Sequence, residues 1–551
     1  MLGETNLELW GHGNLDERIH TLSDGSLAVL IGSPHGKVHL ADKQDDLLVG
    51  KFEIPWDGRV IVLRISPDGK GWTMWNDWLG SIPVFHAEIG QGRVASTLEP
   101  VVVASAGYTP DDFFLPGMLS LLVNGHFLSD WTLYDGMKTI PPDSVMIWDE
   151  GSFRARSLVT VQPSQNRWET SWNDLVDEMY DLSYKAIADA LQARPAWVVP
   201  LSAGLDSRLI AAVGADLGTD LQLYAWGERD STDVVYSHKI AQTLGYPWKH
   251  FDLPGDFLVR YTPQWADMFG SSMHFHGMYQ MSFLDLLDTE PDGPIATGFL
   301  GDMLSGASIG VMDKVHASPG SCQIFNDWYV DWNVKELNSL KMPVEDVCKM
   351  IASTIEGQIN AVAGARFQKL IFLALWSRLR FFNIFQSTLC DYWRGVADPF
   401  MNREYARFAL SLPRVALEDR RLLADVFRRY YGRLAVIPGT YAKEPFILTG
   451  KYLVKRRIVE HLPPPLHHGP FAGFDDVPLR MDIDSIQATG SDALWPLFDA
   501  WDQISEWLDV SLLDQAFQEI MRSKDDIRPL RKLQSIQTLA YRLLDAERVS
   551  L

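Results

Sequence analysis

Residues 197–208 read Trp-Val-Val-Pro-Leu-Ser-Ala-Gly-Leu-Asp-Ser-Arg, an apolar run that enters a turn of small residues and then a helical pattern. The first N–H groups of a helix have no partner inside it and lie at the positive end of its dipole, so a turn of this kind is an anion site. The pattern repeats downstream. Spacing predicts a helix over 207–217, a strand over 221–226, a helix over 233–244 carrying Val234, Val235, Ile240, Ala241 and Leu244, and a strand over 248–253. Strands alternating with helices of this length predict an α/β fold with a doubly wound parallel sheet, whose ligands bind beyond the carboxyl ends of the strands. Two rival motifs fit poorly. In a nucleophile elbow, G-x-S-x-G, Ser202 would attack, but Pro200 stands where the first glycine belongs. No Gly-Lys pair is followed by Ser or Thr, so there is no P-loop of the usual kind.

Ser202, Gly204, Asp206 and Ser207 match the S-G-G-x-D-S pyrophosphate loop of the asparagine synthetase family, with Ala203 replacing the middle glycine. The chain resembles that family at three further places in the same order. Pro294–Gly306 is similar to its S-G-x-G-x-D-E turn through Thr297, Gly298 and Asp302, while Phe299 and Met303 replace acidic positions. Val396–Glu404 resembles V-P-F-L-D-x-E, with Asn402 for the aspartate, and Tyr441–Phe446 resembles R-x-K-x-x-F. The resemblance implies a carboxyl-terminal ATP-pyrophosphatase domain of the adenine nucleotide α-hydrolase type with a helical extension. Ser202, Ala203, Gly204, Leu205, Asp206 and Ser207 would cradle the ATP phosphates, with Trp226, Gly227, Asp233 and Gly298 as nucleotide neighbours. Asp206 and Asp302 would hold Mg²⁺, which favours one or two carboxylates plus phosphate oxygens. Lys443 would be the catalytic cation, stabilising charge on the reacting acyl phosphate.

The amino-terminal third resembles the glutaminase domain that precedes the synthetase domain in this family, an Ntn-type layered β-sandwich. Asn76–Phe85 is similar to its R-D-x-x-G-x-x-P-L-Y hairpin, with Asn76 in the arginine's place, and Ser96–Glu99, Gly125–Gly136 and Pro141-Pro142 continue the order. Alternation over 26–31 and 60–63 predicts antiparallel strands. An active glutaminase needs a cysteine at its mature amino terminus. Here Leu2 follows Met1, the cysteines are Cys322, Cys348 and Cys390, and the R-G-P-D and N-G-E-I-Y-N segments have no counterpart. Glutamine hydrolysis is therefore not expected, as in the β-lactam synthetases and lasso-peptide cyclases. The boundary is placed near Gln162–Gln165, before a helix from about Trp168, giving a degenerate glutaminase-like domain over 1–163 and a synthetase domain over 166–551.

The formal net charge of −22 disfavours nucleic acid as a partner. No signal peptide and no apolar run of membrane-spanning length stands out, so cytoplasm and no membrane are expected. His274 and His276 flank Phe275 without a third ligand, His467-His468 reads as a loop, and Leu533, Ile536, Ala540 and Leu543 mark an amphipathic final helix. The implied function is an AMP-forming carbon–nitrogen ligase: ATP adenylates a carboxylate, pyrophosphate leaves, and an amine attacks. A lasso-type cyclase or specialised-metabolite amide synthetase, acting with a precursor peptide and its leader-processing protease, is favoured over ammonia-dependent asparagine synthesis. A non-catalytic ATP-binding regulatory protein is a further alternative, suggested by Ala203, Phe299, Met303 and Asn402.

Overall fold

The computed structural model describes residues 7–9, 15–36, 38–49, 52–149, 151–309, 332, 334–337, 339–341, 344–439, 442–445, 477–523 and 526–549. The amino-terminal part is antiparallel. Its strands are β1 (Ile19–Thr21), β2 (Leu27–Pro34), β3 (Gly58–Ile65), β4 (Trp72–Asn76), β5 (Phe85–Ile89), β6 (Gly92–Ser96), β7 (Lys138–Thr139), β8 (Ser144–Asp149) and β9 (Ser152–Ser157). They form one sheet in the order β1-β2-β3-β4-β8-β9 and a second in the order β6-β5-β7. Helix α1 (Gln44–Leu48) covers the outer face of the large sheet, where Leu47 meets Val60, Val62 and Trp75. Ile61, Met74, Ile82, Val84 and Met146 form a small core of their own. Helices α2 (Glu99–Ala106) and α3 (Leu115–Asn124) join the main core with Phe85 and Ala87 of the small sheet.

After α4 (Trp172–Leu191) the chain changes architecture. Strands β10 (Ala196–Pro200), β11 (Asp220–Trp226), β12 (Trp248–Phe251), β13 (Ile295–Ala296) and β14 (Val396–Ala397) pair in parallel in the order β12-β11-β10-β13-β14. Trp197, Val198 and Val199 are all buried, as expected of a central parallel strand covered on both faces. Helices α5 (Leu205–Asp216), α6 (Thr232–Leu244), α7 (Phe257–Phe269), α8 (Met278–Leu287) and α9 (Gly301–Ser305) follow within this unit. The buried face of α5 carries Leu209, Ile210 and Val213, each contributing about 1.5–3 kcal/mol by leaving water. Chain order reverses at β10, whose neighbours are β11 on one side and β13 on the other, and such a switch point opens a crevice at the strand ends.

Two expectations shift in register. The helix expected from about Trp168 begins at Trp172, because the Ser171 side chain caps it by accepting from the Asp174 N–H. The run from Pro294 is strand only over Ile295–Ala296 before the chain turns. The carboxyl-terminal helix Arg528–Val549 buries Leu533, Ile536 and Ala540. No helix among the described residues is long and apolar enough to cross a membrane.

Candidate functional site

The turn after β10 is tied by its own side chains. Ser202 Oγ lies 3.1 Å from Ser207 Oγ, accepts from the Gly204 N–H, and the Ser202 N–H donates to Ser207 Oγ. Gly204 is extended (φ −64°, ψ 171°), and α5 starts at Leu205, so the helix amino end faces the crevice. Asp233, from the start of α6, accepts the Ala203 N–H at 2.9 Å. The buried Arg208 grips the other side of the turn, donating to the carbonyls of Ala203, Leu434, Ile437 and Pro438 at 2.8–3.0 Å.

The second turn, after β13, packs directly on the first. A Cβ on Gly301 would lie 2.5 Å from Asp206 Oδ1, and one on Gly298 would lie 3.0 Å from Asp206 Cβ, so both positions need glycine for contact rather than for φ. Leu300 between them takes φ 69°, a conformation that costs a leucine roughly 1 kcal/mol or more. The turn is pinned by Thr297, whose hydroxyl donates to the buried carboxylate of Asp398 at the end of β14 and accepts from the Phe299 N–H. Burial pushes Asp398 up to about 6 against the attraction of Arg59.

Asp206 is the electrostatic centre. Burial pushes its carboxyl up to about 6, Arg420 opposes the rise, and the nearby charge of Asp302 adds to it. Arg420 forms an ion pair with Asp206 Oδ1 and donates to Ser305 Oγ at 2.8 Å. Asp302 is exposed, and its Oδ1 accepts the Met303 N–H. Two carboxylates in repulsion beside a helix amino end are a donor set of the hard-oxygen kind that suits Mg²⁺, with Arg420 competing for one oxygen. No group of three or more potential metal ligands occurs among the described residues.

The crevice thus brings together Ser202, Ala203, Gly204, Leu205, Asp206 and Ser207 with Gly298 and Asp302, and ties in Asp233. Trp226, at the end of β11, leans on Phe283 with ring centroids 4.3 Å apart, and the Gly227 carbonyl accepts from His250 Nε2. Lys443 belongs to strand β16 (Ala442–Pro445), which pairs antiparallel with β15 (Pro438–Gly439). The Lys443 side chain lies outside the described residues, as do Cys322, His467 and His468. His274 and His276 are buried, their rings 5.2 Å apart, with His276 stacked on Phe382. The sequence alone does not mark Arg208, Arg420 or Asp398. Each bonds a residue far along the chain, 230, 214 and 101 positions away respectively, which no local pattern announces.

Fold and site together define an open parallel α/β unit with two small-residue turns meeting at its switch point, each heading a helix. No protein-family model matches the chain, and no curated protein does. Among solved structures the chain is similar to the U34-tRNA thiolase NcsA from Methanococcus maripaludis with its 4Fe-4S cluster, at 14% identity over 44% of this chain and 82% of that one, with a TM-score of 0.20. It is also similar to the glutamine-dependent NAD+ synthetase from Acinetobacter baumannii in complex with ADP, at 14% identity and a TM-score of 0.19. That match covers 62% of this chain and 65% of the NAD+ synthetase, just under two thirds of its length.

Proposed function

We propose that the chain is an ATP-dependent, AMP-forming amide synthetase of the asparagine synthetase type that adenylates a carboxylate and passes it to an amine. The observation that carries this reading is the packing of Gly298 and Gly301 on Asp206, which unites two turns resembling that family's at one crevice. The α5 amino end, with Ser202, Gly204 and Ser207, binds the β- and γ-phosphates, and Trp226 and Gly227 border the nucleotide. Asp206 and Asp302 hold Mg²⁺, which when bound neutralises phosphate charge. Arg420, paired with Asp206, would supply a cation for an anionic phosphate oxygen. Lys443 stabilises charge on the acyl phosphate, a contribution of about 3 kcal/mol in a water-poor site.

Within this chemistry the substrate is a peptide or specialised metabolite carrying its own amine, in the manner of a lasso-type cyclase. Residues 1–163 hold no cysteine to release ammonia from glutamine, which supports this choice over asparagine formation. The departures from the family pattern fit packing needs rather than decay. Phe299 and Met303 are buried in the core. Asn402 caps the helix Arg403–Ala409 and donates to Asp57 at 2.7 Å, where an aspartate would face a second carboxylate.

The purified chain, given ATP, Mg²⁺ and pools of carboxylates and peptides, should release pyrophosphate and AMP. Asp206→Ala and Lys443→Ala should each lower that release by about a hundredfold or more. ADP as product, or ATP binding without turnover across the pools, would replace this reading with that of a regulatory nucleotide-binding protein.

A further inference from the structure

The two amino-terminal sheets separate along β7, β8 and β9 to leave a cavity of about 450 Å³. Its size suits a molecule of amino-acid or small-peptide dimensions. One wall is apolar, built by Met146, Phe153 and Pro141. Beside it stands Arg93, whose side chain is only 8% exposed and whose guanidinium carbon lies over the Phe153 ring, 4.2 Å from its centroid. Arg93 spends one N–H on His86 Nδ1 and another on Glu88 Oε1, and its buried Nε has no acceptor.

The charges are distributed unevenly. Glu88 is 77% exposed, and Lys138 and Asp130, whose charged atoms stand 3.7 Å apart, are 39% and 40% exposed, so water and salt screen the outer acid and that pair alike. The inner groups are a buried permanent cation, a neutral imidazole and the Thr139 hydroxyl, which is buried without a partner. Burial and the charges of Arg93 and Lys138 hold His86 down to about 4, so its ring adds a donor and no compensating charge. The one charge held inside is that of Arg93, paired with the exposed Glu88, in a chain of net charge −22.

We propose that this cavity binds the carboxylate of a small molecule with an apolar body, Arg93 and Lys138 taking the charge, Thr139 a hydrogen bond, and Phe153 and Met146 the body. One buried cation and one at the rim suit a single charge better than a multiply charged phosphate. The planar guanidinium, backed by an aromatic ring, matches a carboxylate's two oxygens. The site is separate from the crevice at β10 and independent of any ATP chemistry there.

Calorimetric titration of the full chain tests it, with N-acetyl-L-phenylalanine, its carboxamide, a tripeptide ending in phenylalanine with a free or an amidated carboxyl end, and inorganic phosphate. The free acids should bind and the amides should bind roughly ten- to a hundredfold more weakly, the loss of one charge-assisted pair. The stronger of the two free acids tells a small-molecule ligand from a peptide carboxyl end. Arg93→Gln should abolish binding. Lys138→Met, on a half-exposed side chain that leaves the core intact, should weaken it by about tenfold with an unchanged melting temperature. Acid and amide binding alike, phosphate binding more tightly than either acid, no binding by any carboxylate, or a folded Lys138→Met protein of unaltered affinity would each overturn the proposal.

Discussion

Asp206 is pulled in opposite directions, and its titration can therefore be used as a probe. Burial and Asp302 favour the neutral acid, while Arg420 favours the carboxylate, leaving the group at about 6. Binding Mg²⁺ requires the charged form. Below pH 6 the protonated side chain must first lose its proton, so affinity for Mg²⁺·ATP should fall by up to about a decade per pH unit as pH drops below 6, and level off above it. ATP's own titration is shared by wild type and Asp206→Asn, so the difference between the two isolates this residue. Titrating a fluorescent ATP analogue between pH 5 and 8 should give a wild-type curve breaking near 6 and a flatter, weaker one for the variant. Parallel curves would remove Asp206 from the metal site. Ala203 shows a similar economy at the neighbouring position, its N–H taken by Asp233 and its carbonyl by Arg208 while its methyl is wholly buried.

At the scale of elements, Arg208 connects α5 to the segment that leads into β15 and β16, and hence to Lys443. Its guanidinium is fully buried and donates to four carbonyls, three of them in the segment 434–438. Arg208→Met should destabilise the protein by about 3–5 kcal/mol, since several buried carbonyls lose a charged donor at once. Arg208→Lys should recover little, because an ammonium cannot reproduce the fork. Denaturant melts measure the first effect. Pyrophosphate release should also fall by about a hundredfold in whatever fraction stays folded, as displacement of β16 misplaces the lysine. The strands and helices of this unit were legible because local signals agree with the fold. The strand expected over 221–226 is observed over Asp220–Trp226, and the helix expected over 233–244 is observed over Thr232–Leu244, where Ser231 caps it. The turn at 202–207 was legible for the same reason. Arg208 was not, because an arginine one position past Ser207 reads as an exposed helix residue until the segment 434–438 folds over it. Arg420 was hidden further by two consecutive left-handed residues, Asp419 (φ 55°) and Arg420 (φ 56°), which no glycine announces.

For the whole molecule, the two antiparallel sheets and the parallel unit are joined by polar contacts. Arg380, fully buried on a π-helical stretch over Leu375–Asn383, donates to the carbonyls of Gly80 and Ile140. Gly80 must be glycine there, with φ 61° and a would-be Cβ only 3.0 Å from Arg380 Nε. Trp78 Nε1 donates to the Met401 carbonyl, Arg403 pairs with Asp57, and the buried Glu99 takes both Arg542 of the last helix and Ser271. Removing residues 1–163 would strip Arg380 and Arg542 of these partners, and a buried charge that loses its partner costs about 3–5 kcal/mol. Two such losses approach the entire stability of an ordinary domain. Fragment 166–551, the proposed synthetase domain, is therefore expected not to hold a native fold alone: its thermal melt should be broad and its apolar surface should bind a hydrophobic dye, while the full chain melts in one cooperative transition. A fragment that melts as sharply as the full chain, or a full chain with two well-separated transitions, would make residues 1–163 an appendage. The single transition would make those residues part of one fold with the parallel unit, held through the Arg380 contacts and the bond from Trp78 to Met401, a few residues past β14.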